Sequence, residues 1–137
     1  KRTAFIAHRF DDGGISAADK VARFLGLIGF TVRTGRGYSP GSVSEKVRVR
    51  IEQQEILVVV RTPGEDDTWL IQESAIAEIK GKPLFIIRDM ATSFKSGILG
   101  DHEYIPFTFP HVEAAFIPLV EGLRELGYDF ADPTRLE

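Results

Sequence analysis

Short apolar runs alternate with stretches of helical spacing along the whole chain. "TAFIAH" (3–8) predicts a strand that closes on the turn "DDGG". Ile15, Ala18, Val21, Ala22, Leu25 and Ile28 then recur at helical intervals and stop at Gly29. "FTVR" (30–33) predicts a second strand, followed by the loop "TGRGYSPG". A helix comes next, with Ser42 and Glu45 spaced as a capping box and Val43, Val47 and Ile51 along one stripe. "EILVVV" (55–60) is apolar enough for a strand buried on both sides. The stretch Asp66 to Lys80 is again helical and Gly81 ends it. "KPLFIIR" (82–88) and "EYIPFTF" (103–109) predict the last two strands. A closing helix carries Val112, Phe116, Leu119, Leu123 and Leu126 up to Gly127, and Pro118 either kinks it or stands near its start.

Strand and helix alternating five times specify a parallel sheet covered on both faces. The expected fold is a flavodoxin-like α/β/α sandwich in three layers, with a five-stranded parallel sheet in the order 2-1-3-4-5. Ligands in such folds bind beyond the carboxyl ends of the strands, near the switch point between the first and third. That edge gathers "HRFDDGG", "TGRGYSPG" and "RTPGEDD". At 137 residues the expectation is one domain over 1–130, with 131–137 as a tail.

The helical stretch "DDTWLIQESAIAEIK" contains an oddly placed carboxylate. With Trp69 set at zero on a helical wheel, Glu73 falls at about 40°, inside the apolar arc, whereas Ser74 and Glu78 form the narrow polar face. An unpaired carboxylate there costs several kcal/mol or gives up its charge. One reading makes Glu73 a structural group bonded to a neighbouring backbone or arginine. The other makes it functional.

Composition narrows the field. A net charge of −3 gives no general attraction to nucleic acid or anionic membrane, and the longest strongly apolar run, "ILVVV", is far too short to span a bilayer. Without cysteine there is no disulfide framework and no thiolate chemistry, which fits a cytoplasmic location. His8, His102 and His111 lack metal-ligand spacing, so no metal is expected. "DDGG" is not a dinucleotide fingerprint, and "GRGYSPGS" is not a P-loop. A phosphorylated receiver domain needs an aspartate at the end of strand three, where this chain has Val60, Arg61 and Thr62. Arg9, Arg33 and Arg36 are candidate phosphate contacts or solvated loop charges. Phe10 and Tyr38 are candidates to stack a base or close the core, and His8 is a strand-end cap with a minor site role.

Over about residues 3 to 128 the chain resembles a TIR domain. "AFIAHRFDD" is similar to the family's first box. The Pro40-Gly41 loop with its helix and apolar strand resembles the second, "WLIQE" matches Trp-x-x-x-Glu, and "GKPLFII" resembles the strand that follows. The chain departs from the family at Leu70, Ser74 and Thr62-Pro63, and the late Phe-Trp box is not recognisable. A divergent, prokaryotic type of member is implied.

The resemblance implies cleavage of the nicotinamide–ribose bond of NAD+, to ADP-ribose or a cyclic product, with Glu73 as the catalytic carboxylate. NAD+ is then substrate, and no cofactor is expected. His8, Arg9, Phe10, Arg36, Tyr38 and Trp69 would shape the substrate site. Gly35, Gly37, Ser39, Pro40 and Gly41 would form an oligomerisation loop. The family also implies immune or antiphage signalling, activation by TIR–TIR self-association, and a fused or partner sensor domain. Nicotinamide leaves a cationic pyridinium as a neutral base, so one carboxylate facing the oxocarbenium-like state suffices without a general acid. Two alternatives stand beside this: a non-catalytic TIR–TIR interaction module, and an enzyme related to nucleoside deoxyribosyltransferases, which also places a carboxylate at the ribose.

Overall fold

The structure is a computed structural model that describes residues 2–34, 52–64, 81–92 and 103–130. Five strands, β1 (Thr3–His8), β2 (Thr31–Thr34), β3 (Ile56–Arg61), β4 (Leu84–Asp89) and β5 (Ile105–Phe107), form one sheet in the order β2-β1-β3-β4-β5. Every neighbouring pair is parallel. This is the expected flavodoxin-like order. It places β1 and β3 side by side at the centre, with His8 in register with Val60 and Arg61 in register with Arg88.

The interior follows from strand alternation. Ala4, Ile6, Ile56, Val58, Val60 and Ile87 share one face and pack with helices α1 (Asp12–Leu27) and α2 (Phe116–Glu125) in a single core. The Phe24 and Phe116 rings stack at 4.3 Å and join the two helices. Phe5, Ala7, Leu57, Val59 and Ile86 point the other way by the period of two, and all are buried. Both faces of the sheet are therefore covered. β2 alternates exposed and half-buried residues, as an edge strand does.

Element ends differ from the sequence reading for identifiable reasons. β5 spans only Ile105–Phe107, less than the 103–109 expected, since Pro106 and Pro110 supply no ladder donors. β3 runs one residue further, through Arg61, and β4 through Asp89. The closing helix starts as a 3-10 turn (Val112–Ala115) and becomes α-helical at Phe116. Pro118 thus sits in the first α turn, where its missing N–H has no helical carbonyl to meet. The helices expected around Val43 to Ile51 and Asp66 to Lys80 lie outside the described residues, as does the tail 131–137.

At the amino edge of the sheet the two ends of the domain are tied together. The Arg2 guanidinium donates to Ile28 O at 2.9 Å and to Asp129 O, and lies over the Phe130 ring at 4.6 Å. Nearby, Tyr128 donates its hydroxyl to Glu55 Oε1 at 2.8 Å. Burial first, then that bond and the Glu55 charge, push the Tyr128 phenol up to about 12 from its ordinary 10.0. A raised folded-state pKa favours the protonated form, so this stabilisation is complete below pH 10 and is lost as pH climbs toward 12. Urea unfolding across that window is expected to show a steeper loss of stability in the wild type than in Tyr128→Phe. Equal slopes would mean that folding does not raise the Tyr128 phenol.

Candidate functional site

The carboxyl edge at the β1/β3 switch point is built by three residues that leave β1. His8 is 1% exposed. Its Nδ1 lies 2.6 Å from Arg9 O, and since a carbonyl only accepts, Nδ1 carries the proton. Phe10 meets the imidazole edge-on, ring centres 5.1 Å apart. The His8 contact fixes the peptide that aims Arg9.

Helix α1 begins immediately afterwards. Asp11 caps it, taking the Gly14 N–H at 2.8 Å, while Ile15 N–H bonds to Asp11 O at 2.9 Å. The start is tight against the end of β1: a Cβ on Gly14 would fall 2.3 Å from Arg9 O. A glycine is needed there because backbone cannot move aside cheaply. The positive end of the α1 dipole therefore opens beside the Arg9 guanidinium. Asp11, whose Oδ2 is 3.3 Å from Arg9 Nε, offsets part of that charge.

Arg9 does not stay over its own strand. A Cβ on Gly64 would lie 1.9 Å from both Cζ and Nε of Arg9, so the guanidinium rests on the backbone just past β3. It bridges the switch point. Arg61 and Thr62 stand at the same edge, each 4% exposed, and among the described residues Thr62 Oγ1 is a buried hydroxyl with no hydrogen-bond partner. Arg61 and its register partner Arg88 place like charges on one face of the sheet, an arrangement that is unfavourable unless anions balance it. Arg88 is held by Thr92, through Nε to Oγ1 at 2.8 Å and Nη2 to the carbonyl at 2.7 Å, with Tyr104 beneath it at 4.9 Å. Asp89, 3% exposed, takes the Ala91 N–H with Oδ1 at 3.0 Å.

Of the sequence candidates, the structure brings His8, Arg9 and Phe10 together. His8 is enclosed and acts on Arg9, not on open space. Arg33 lies on β2, beside Phe5 and well below the carboxyl edge. Glu73, Arg36, Tyr38 and Trp69, together with the loop residues Gly35, Gly37, Ser39, Pro40 and Gly41, lie outside the described residues. Sequence reading gathered the loop "RTPGEDD" at this edge but singled out neither Arg61, Thr62 nor Gly64 within it, and it did not name Arg88. Arg61 and Arg88 each follow an apolar strand run, and that repeated position was the available signal. Gly64 left none, because its contact joins segments that are distant in sequence. Among the described residues no group of three His, Asp or Glu could hold a metal ion, and no helix is long and apolar enough to cross a membrane.

Neither a scan against protein-family profiles nor a search of curated proteins finds a match. Among solved structures, the chain is similar to a 2-deoxyribosyltransferase from the psychrotolerant bacterium Bacillus psychrosaccharolyticus. The TM-score is 0.58 over 93% of each chain, at 18% identity. At that identity the likeness establishes the shared fold.

The contact between Gly64 and Arg9 is testable alone. In Gly64→Ala the new methyl meets only the far end of a flexible side chain. Unfolding free energy is expected to change by less than about 1 kcal/mol. The Arg9 Nε–H resonance should nevertheless move in a nitrogen–proton correlation spectrum, and an unshifted signal would place the guanidinium elsewhere.

Proposed function

We propose that this chain is an enzyme that breaks the N-glycosidic bond of a nucleoside-type substrate at the carboxyl edge of β1 and β3. The observation that carries this reading is the Arg9 guanidinium lying across the switch point onto Gly64. It puts a forked cation where flavodoxin-like folds bind ligands, beside the start of α1. The segment that leaves this edge after β3 contains Trp69 and Glu73. Glu73 is the carboxylate that would face the positive charge developing on the ribose as the base departs. Similarity in fold to a 2-deoxyribosyltransferase over nearly the full chain supports a substrate with an N-linked sugar.

Two substrates fit this chemistry, and they differ in leaving group and charge. From a neutral deoxynucleoside the base leaves as an anion that must be protonated, so a general acid is required. From NAD+ the nicotinamide leaves neutral, and the diphosphate offers oxygens to Arg9. His8 is a poor proton donor to a leaving base, being enclosed with its Nδ1 proton directed to Arg9 O. That favours NAD+, in agreement with the TIR resemblance. The structural neighbour favours nucleosides, with ribosyl or deoxyribosyl transfer as the second reading. In the TIR reading the site works in a self-associated, cytoplasmic signalling protein that carries a sensor domain.

The deciding experiment offers NAD+ and, separately, 2′-deoxynucleosides to protein clustered by a fused coiled coil, and measures the free base. Glu73→Gln is expected to lower release by at least about 100-fold with the fold intact. Arg9→Gln is expected to raise KM for NAD+ about tenfold and to leave KM for a nucleoside unchanged. Base release that survives Glu73→Gln, or none from either substrate, contradicts the proposal.

A further inference from the structure

A groove of about 350 Å³ opens on the opposite edge of the sheet, between the amino ends of β4 and β5 and helix α2. Its floor includes Phe85 and Ile105, and Pro118 forms part of its wall. The cleft owes its shape to Gly122: a Cβ there would sit 2.7 Å from the Phe85 ring, so helix and strand close tightly at that point. Three carboxylates, Glu103, Glu121 and Glu125, line it, and among the described residues no lysine or arginine does. All three residues are exposed, and among the described residues none has an ion-pair or hydrogen-bond partner.

This placement is electrostatically costly. Glu121 and Glu125 are one helical turn apart, and like charges at that spacing destabilise a helix by a few tenths of a kcal/mol. The cation on α2, Arg124, is about 60° from Glu121 and about 100° from Glu125 on the wheel, and it does not line the groove. Ile117, 74% exposed, extends the apolar surface one turn before Glu121. Such a surface suits a ligand with both apolar stems and positive heads. Strand addition is the wrong mode: β5 is a three-residue edge strand with Pro106 at its centre, which cannot donate to a new strand.

The geometry points to a docking site for an arginine- or lysine-bearing amphipathic segment of a partner polypeptide, seated by its apolar side chains on Phe85, Ile105 and Pro118. Charge complementarity selects this occupant. A second copy of the chain, itself at −3, starts from net repulsion. The groove is on the far side of the sheet from Arg9, so occupancy is separate from the N-glycosidic chemistry.

The probe is a fluorescein-labelled helical peptide with arginines and leucines each one turn apart, compared with the same peptide bearing glutamine for arginine. Anisotropy titrations are expected to show binding of the arginine peptide only. Glu121→Lys should weaken it about tenfold or more, whereas Glu113→Lys, on a carboxylate bonded to His111 at 3.1 Å outside the groove, should change it less than about twofold. Glu121→Lys removes a repulsion along α2, so it is expected to fold. Glu125→Gln, which changes no backbone preference, gives a second reading of the same loss. Equal weakening by the groove and control substitutions, or no binding of the arginine peptide, overturns the proposal. So does self-association of the chain, seen by sedimentation, that Glu121→Lys abolishes, because the occupant is then a second copy.

Discussion

Everything at the carboxyl edge depends on how Arg9 crosses from β1 to the backbone beyond β3. Three local constraints produce that crossing. His8 pins the Arg9 carbonyl, Gly14 lets α1 start against the same carbonyl, and Gly64 leaves room for the guanidinium. Each comes from a residue type that has no near substitute at its position. Two are glycines whose missing Cβ is the operative feature. The third is an imidazole that donates from one nitrogen while its ring packs against Phe10.

The carboxyl edge carries charges of both signs. Among the described residues of that rim are Arg9, Arg61 and Arg88 together with Asp11, Asp12 and Asp89. The opposite edge is acidic around an apolar floor among the described residues. One small α/β domain thus presents two chemically distinct rims, and the parallel sheet separates them.

Much of the framework was legible in the sequence because parallel strands buried on both faces announce themselves as unbroken apolar runs. β1 matches its expected bounds, and the order 2-1-3-4-5 follows from alternation and size. Strand ends were harder. The apolar run of β3 stops at Val60, yet Arg61 is in the ladder, in register with Arg88 on β4. β5 was over-extended because its aromatic and β-branched residues suit a strand, while its prolines limit the ladder. Within the site, His8, Arg9 and Phe10 were legible because chain and geometry coincide where a strand ends. Gly64 was not, since a glycine after a proline reads first as a turn. The acidic groove was also hidden: its carboxylates come from two separate segments and converge only when α2 docks on β4.

The central claim is that a nucleoside-type ligand sits where Arg9 bridges β1 and β3. The most direct measurement is backbone-amide chemical-shift mapping during titration with ADP-ribose, and in parallel with 2′-deoxyadenosine. The account predicts that at least one of them perturbs residues 8–14 together with 61–64 and leaves β2 and the groove beside α2 unmoved. Shifts confined to other surfaces, or none with either ligand at millimolar concentration, would contradict it.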